Sequence, residues 1–469
     1  MTPFSTNQVA AELEPARPVA QVERIKTIDI LRGVALLGIL LMNIPGFALG
    51  DNFADEFRDD PTNVNFWVNA FITILFEGKM RALFSMIFGV GIILFMARKE
   101  KAAPSPGGEP YVRQSAAGLF FRRMGWLVLF GLIDSHVLLW FGDILYYYGI
   151  IGMIAYWFRK MKPNYLALGV PLVAIIGFGL NVFFYQSVRD KRLAYLDVQA
   201  IQKQGRPLTA TQQQAVKDWQ EAQKTFLPNK AEVAEHTRLM KSPNYFTVAS
   251  RYRKDVWDGQ TKYLIFGIWD PLALMLLGMA LYKWGFVTGQ WPRRRYWQTM
   301  LIGYGLGLPL VAFNFYYGYS RHIADTEAFI RYMETHPILW NGLIYPFQRI
   351  LLVMAHASLV ILLIQSGRVQ GLLNRLGAVG QMAFTNYVMH TVICTLVFYG
   401  YGLNQYAEWQ FYQLYFMVAG IWVLQLIVSP IWLRSYQFGP LEWVWRSLTY
   451  WQRQPMRREA PAAISQNAL

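Results

Sequence analysis

Cysteine is almost absent from this chain, whose 469 residues include one, Cys394, inside an apolar run. A lone cysteine excludes a disulfide framework and a cysteine metal site. Charge is scarce too, at 16% against 54% hydrophobic residues, and it is confined to short stretches between long apolar runs. That distribution excludes an ordinary soluble globule. There is no Walker motif, no dinucleotide glycine fingerprint and no nucleophile elbow. His236, His322 and His336 show no metal-like spacing, so no metal is expected. The formal net charge of +15 raises nucleic acid as a partner, but no basic patch is interleaved with a binding motif. Lysine and arginine also gather at cytoplasmic membrane edges, which accounts for the excess without nucleic acid.

What the chain does have is apolar runs long enough to cross the roughly 30 Å hydrocarbon layer as helices. Only a helix or a closed barrel satisfies its own backbone there. The expected fold is all-α, a polytopic integral membrane protein with about ten transmembrane helices. The spans fall at roughly 31–49, 66–97, 122–141, 143–158, 164–185, 263–284, 297–318, 338–365, 379–401 and 410–433. The opening resembles a signal peptide in its basic region, apolar region and small residues near Ala48 and Gly50. Asp29, Arg32 and the long polar lead favour a retained first span.

With both termini cytoplasmic, the inner segments hold Arg17, Arg24, Lys26, Arg98, Lys99, Lys101, Arg113, Arg122, Arg123, Arg159, Lys160, Lys162, Lys283, Arg293, Arg294, Arg295, Arg368 and Arg375. The short outer loops hold Arg58, Arg321 and Arg331, and the first of them is acidic through Asp51, Asp55, Glu56, Asp59 and Asp60. This asymmetry sets the orientation. The chain then divides into a polar N-terminus (1–27), a first membrane half (28–185), a polar helical insertion on the outer face (186–262), a second membrane half (263–433), and an interfacial helix with a basic tail (434–469). The insertion reads either as a cover or as an acceptor-binding lid. Trp443, Trp445, Tyr450 and Trp451 among Glu442, Arg446 and Arg453 read as an interfacial helix.

A charge at membrane depth costs several kcal/mol unless it meets a partner or a wet cavity, so the charged residues inside spans are the functional candidates. Glu77, Lys79 and Arg81 lie in a segment too long for one straight crossing, with Gly78 among them. Either Glu77 and Arg81 pair across one helical turn, or Lys79 and Arg81 hold an anionic ligand. His136 and Asp143 fall seven residues apart around a Gly-Asp break, with Asp134 nearby. A histidine oriented by a carboxylate makes a general base; the plainer alternative has Asp143 capping the next span. Asn386 and His390 share a helix face, either lining a polar cavity or packing helix to helix. His356, alone on an apolar run, reads as a hydrogen-bonded structural histidine.

Residues 24–46, RIKTIDILRGVALLGILLMNIPG, resemble the opening of the YeiB-like bacterial membrane-protein family, domain of unknown function 418. Three later stretches agree with it: EGKMRALFSMIFGVG, HVLLWFGDILYYYGIIG, and the closing GQMAFTNYVMHTVI and FGPLEWVWRSLTYW pieces. Through Asp29, Arg32-Gly33 and Asn43 the family is distantly similar to transmembrane acyltransferases, such as the lysosomal heparan glucosaminide acetyltransferase and bacterial glycan O-acetylases. The bacterial acylases have an arginine followed eleven residues later by a histidine. Here Arg32 and Asn43 take those places, and residues 50–65 hold no histidine; His136 is the nearest substitute.

The resemblance implies acetyl (acyl) transfer from cytoplasmic acetyl-CoA to an extracytoplasmic hydroxyl or amine on a glycan or small molecule. His136, Asp143 and Asn43 are the catalytic candidates; Arg32, Lys79, Arg81, Asn386 and His390 are the binding candidates. The expected setting is the bacterial inner membrane, with the lipid bilayer and acyl-CoA as partners and a homo-oligomer left open. The competing reading is a transporter or channel for a small polar or anionic substrate, with the same buried charges lining its path. An inactive scaffold is a third.

Overall fold

The computed structural model describes residues 25–50, 60–101, 115–227, 229–322 and 325–458. The polar stretch 1–24, most of the acidic loop at 51–59, Arg113 and the tail 459–469 lie outside the described residues. Every described element is a helix, turn or loop, apart from one isolated bridge between Tyr436 and Arg457.

The first five helices are α1 (Lys26–Ala48), α2 (Val64–Leu75), α3 (Lys79–Lys101), α4 (Ala116–His136) and α5 (Leu145–Ala155). Then come α6 (Pro163–Lys203), α7 (Ala210–Phe226), α8 (Lys230–Met240) and α9 (Tyr245–Trp257), followed by a π-turn over Asp258–Lys262. The second half has α10 (Leu264–Gly267), α11 (Trp269–Lys283), α12 (Arg293–Ser320), α13 (Thr326–Thr335), α14 (Asn341–Gln365), α15 (Gln370–Gln381), α16 (Ala383–Phe398), α17 (Leu414–Ser435) and α18 (Pro440–Tyr450). Eight helical stretches among the described residues are long and apolar enough to cross a membrane. Two expected spans, the fourth and the ninth, correspond to the shorter apolar helices Leu145–Phe158 and Ala383–Phe398. The molecule is a polytopic α-helical membrane protein.

The helices sort by enclosure. In α1, 72% of the apolar window is buried, against 17 to 56% in the other seven, so α1 is the centre of the bundle. It packs on α3, α14, α15, α16 and α17. Helix α6 is at the other extreme, and its exposed Leu168, Leu172, Ile175 and Phe183 make sense only against lipid.

Close approach at the centre depends on glycine, because helices that cannot gain from hydrophobic association in lipid gain from tight packing instead. Gly33 of α1 and Gly380 of α15 face each other. A β-carbon on Gly380 would run into the Asp29 carbonyl oxygen, and one on Gly33 into that of Leu376. Gly89 and Gly278 play the same part where α3 crosses α11. From α17, Trp422 Nε1 donates to the Leu37 carbonyl at 3.1 Å and adds a polar tie to α1.

The insertion shares a small core with α13 of the second half. The boundary at 185 falls within a continuous helix. Helix α6 runs on unbroken to Lys203, since nothing in LNVFFYQSVRDKRLAYL stops a helix. Trp219 of α7 is buried with Val188, Ile330 and Met333, and Arg192 pairs with Glu334 at 2.8 Å. A capping box between Thr209 and Gln212 starts α7.

At the opposite end of the chain, α18 is pinned rather than merely laid on a surface. Glu442 accepts from the Phe384 and Thr385 N–H groups, at 2.7 and 3.1 Å, and so caps α16. Burial pushes its carboxyl up from the ordinary range, and these donors together with the Thr385 hydroxyl pull it back.

The Gly33–Gly380 contact gives a direct test. Gly380→Ala should destabilise the folded protein by about 1–3 kcal/mol, the usual cost of overpacking. Thermal unfolding in detergent reads this as a lowered midpoint, and an unchanged midpoint would show that α1 and α15 part easily.

Candidate functional site

The segment judged too long for one straight crossing is broken. Helix α2 ends at Leu75, α3 begins at Lys79, and Gly78 between them has φ +71°. Glycine is required here by that φ and by space, because a β-carbon would meet Tyr345 Oη and lie 3.1 Å from Arg349 Cδ. Gly38, in the middle of α1, accommodates Met80. The break therefore sits at half the length of the central helix.

Charges converge at this break. Arg349 of α14 is 1% exposed and meets both carboxylate oxygens of Asp270, with Nη1 at 3.0 Å from Oδ2 and Nη2 against Oδ1. Arg81 reaches the same carboxylate from α3 at 3.3 Å. Lys79 Nζ, itself buried, donates to the Thr73 carbonyl at 2.7 Å. Asp270 is in the first turn of α11, ahead of Pro271.

The Glu77–Arg81 alternative fails on this geometry. Pairing across one turn needs a continuous helix, and the break at Gly78 removes Glu77 from the helical repeat. Glu77 is exposed, while Arg81 turns to Asp270. Asp270 and Arg349 are absent from the sequence candidates. The signal that picks out Lys79 and Arg81 also picks them out, since each is a charge in an apolar run, LIFGIWDPLALMLL and IYPFQRILLVMAH.

His356 is the structural histidine its setting suggests. One ring nitrogen lies 2.8 Å from the Leu75 carbonyl oxygen, left open by the break, and the other lies 3.0 Å from Tyr304 Oη.

On α1, Arg32 pairs with Asp29 at 3.0 Å and donates to the Gly380 carbonyl at 3.3 Å. Asn43 is half-buried toward the other end, one turn before Phe47, which stacks on Trp140 at 3.6 Å.

Near Trp140 the expected His136–carboxylate couple does not form. Asp143 instead accepts from Leu145 and Tyr146 N–H, at 3.0 and 2.9 Å, and so caps α5. Asp134 is fully buried and accepts from Thr391 Oγ1 at 3.3 Å. Residues 134 and 136 are two apart on α4, a spacing that turns them to different faces. The His136 carbonyl accepts from Arg253 Nε at 2.8 Å. That contact binds α9 of the insertion to this loop, as does Gln260, which reaches Asp143 at 3.4 Å and Ser135 at 3.2 Å. His236 lies on the same side, beside Tyr406 and Gly50.

Asn386 and His390 share a buried face of α16, turned to α17. Asn386 Nδ2 donates to Ser429 Oγ at 3.0 Å, and His390 Nε2 lies 3.1 Å from Gln425 Oε1. Gln425 Nε2 returns to the Asn386 carbonyl at 3.0 Å, closing a chain of helix-to-helix bonds. Packing, one of the two readings of these residues, accounts for every one of these contacts.

Fold and site together define a polytopic α-helical membrane protein with a charged centre at a broken helix beside its central helix. Residues 281–452 match the family described as a protein of unknown function (DUF418). The match lies in the second half of the chain and agrees with the YeiB-like resemblance of its opening. It is 29% identical to the uncharacterized protein YxaH of Bacillus subtilis (strain 168), over 94% of this chain and 98% of that one. It is 28% identical to the uncharacterized protein YeiB of Escherichia coli (strain K12), over 91% and 97% of the two chains. A third relative, an uncharacterized 39.9 kDa protein in the amylase 3' region of Bacillus acidopullulyticus, is 26% identical over 94% and 99%. No solved structure matches.

The role of His356 is testable. His356→Phe leaves the Leu75 carbonyl without its partner and should cost about 1–3 kcal/mol, the penalty for an unsatisfied buried group. Denaturant unfolding in detergent would report it, with Tyr304→Phe costing less because the Leu75 contact survives.

Proposed function

We propose that this protein transfers an acyl group, acetyl in the simplest case, across the bacterial inner membrane. The donor is a coenzyme A thioester bound at the cytoplasmic side, and the acceptor is a hydroxyl or amine presented outside. One observation carries the reading: the most enclosed helix, α1, bears Arg32 toward its Lys26 end and Asn43 toward the other, so a single element joins a basic donor side to a polar acceptor side. Arg123, stacked on Trp445 at 3.6 Å, adds positive charge near Arg32.

In this reading Arg32 grips a phosphate of the donor, with Lys79 and Arg81 deeper along the path; guanidinium forks and ammonium point charges both suit phosphate oxygens. Asn43 donates to the carbonyl oxygen as negative charge builds there. His136 takes the acceptor's proton. Neither Asp134 nor Asp143 orients it, so it acts as an unassisted imidazole, half-exposed at the end of α4. Asn386 and His390 act at one remove, by holding α16 to α17.

A second reading, transport of a small anion, is favoured by the broken helix, since discontinuous helices build substrate sites in many transporters. The two separate in purified protein in nanodiscs supplied with acetyl-CoA and an acceptor extract. Acyl transfer releases free thiol; Arg32→Ala should weaken acetyl-CoA binding roughly tenfold or more, the value of one charged hydrogen bond. His136→Ala should abolish release in a folded protein. Transport instead moves substrate into proteoliposomes under a gradient, with no thiol released.

The orientation has its own test, made simple by the single buried cysteine. In a Cys394→Ala background, Gln213→Cys in the insertion should react with a membrane-impermeant maleimide added to intact cells. Arg368→Cys should react only after permeabilisation. The reverse pattern would invert the topology and with it the donor side.

A further inference from the structure

The cluster at the helix break holds more positive charge than its own carboxylate offsets. Three cations, Lys79, Arg81 and Arg349, gather at the break; the two arginines meet Asp270, and the acid nearest Lys79, Glu77, is exposed. Lys79 is satisfied by a carbonyl oxygen, which accepts its hydrogen bond but cancels no charge. Arg349 Nε and Gln348 Oε1 are buried with no hydrogen-bond partner among the described residues. Surplus charge in the middle of an apolar bundle is unfavourable by several kcal/mol unless an opposite charge joins it.

The two arginines are not equivalent. Arg349 is 1% exposed and held two-pronged, so it fixes Asp270 in place. The Arg81 side chain is 48% exposed and touches Asp270 through one nitrogen, leaving most of its five N–H donors unused by that carboxylate.

We propose that this cluster is a binding site for an oxyanion, a carboxylate or phosphate group, and that Asp270 stands in for the ligand on Arg81 until it arrives. The incoming group takes the open edge of Arg81, and Lys79 adds a point charge behind it. Asp270 stays with Arg349, so the core of the cluster remains paired as the ligand comes and goes. The inference extends the role proposed for Lys79 and Arg81 in donor binding, and rests on that reading only for the ligand's identity.

The idea predicts opposite signs for two substitutions. Arg81→Gln removes the ligand's main contact and should weaken oxyanion binding roughly tenfold to a hundredfold. Asp270→Asn removes the competing anion and should strengthen it. The full chain is placed in phosphatidylcholine nanodiscs and titrated with inorganic phosphate, acetate or acetyl-CoA, with chloride as control, while binding and the unfolding temperature are followed. Nanodiscs containing phosphatidylglycerol form a separate arm for a lipid headgroup.

Asp270→Asn leaves Arg349 short of a partner and should unfold at a lower temperature than wild type, with phosphate or acetate restoring much of the loss. Support is an oxyanion shift seen in wild type, larger in Asp270→Asn and absent in Arg81→Gln. Equal shifts in all three, no shift in wild type, or weakened binding in Asp270→Asn would overturn the site. Oxyanion binding that depends on Arg81 without any thiol release would leave the site standing and remove acyl transfer. Thiol release with an unchanged Arg81→Gln would do the reverse.

Discussion

The ion pair between Arg349 and Asp270 is the contact on which the centre of the molecule depends. It joins α14 to α11, and through Arg81 it draws in α3. A guanidinium enclosed among apolar helices is tolerable only with its counter-charge in place, so each of these three helices is held in register by the need to keep one carboxylate where it is. The pair need not add net stability over an apolar core of the same shape. What it fixes is position, because any slide of α11 along α14 would strand a charge.

Glycine supplies the complementary constraint. At Gly33 with Gly380, and at Gly89 with Gly278, backbones approach so closely that no side chain fits between them. The second contact joins two helices of the charged cluster, α3 and α11, and at the first the Gly380 carbonyl accepts from Arg32. Tight crossings of this kind hold inter-helix spacing constant, and a two-pronged arginine contact is sensitive to spacing. Packing and electrostatics thus specify one arrangement.

Much of this was legible in the chain itself. Apolar runs locate α1, α14 and α17, because length and hydropathy settle what lipid accepts. The break at Gly78 follows from a segment too long for one crossing, and His356 follows from its isolation. What sequence spacing left open were relations that depend on whether a helix continues. Glu77 and Arg81 are one turn apart only in an unbroken helix, and His136 meets Asp143 only if α4 continues through 137–144. The partners Asp270 and Arg349 come from helices remote in sequence. Each was visible as a charge out of place, but their mutual contact is a property of the packed bundle. The reach of α9 and Gln260 back to the 137–144 loop had no sequence signal at all.

The break also explains why a lysine is tolerated so deep. Ending a helix inside an apolar bundle leaves carbonyl oxygens open, and such an end persists only where side chains replace the lost bonds. Lys79 does this for Thr73 and His356 does it for Leu75. Two of the polar residues at the break are therefore committed to the backbone, and Arg349 is committed to Asp270. Arg81 alone among the cations there combines a partial partner with an exposed guanidinium. If a substrate group visits the centre of this protein, the geometry leaves Arg81 as the residue that receives it. That holds equally for an acyl donor passing along α1 and for a transported anion, so Arg81 is common ground between the two functional readings and the thioester is what divides them.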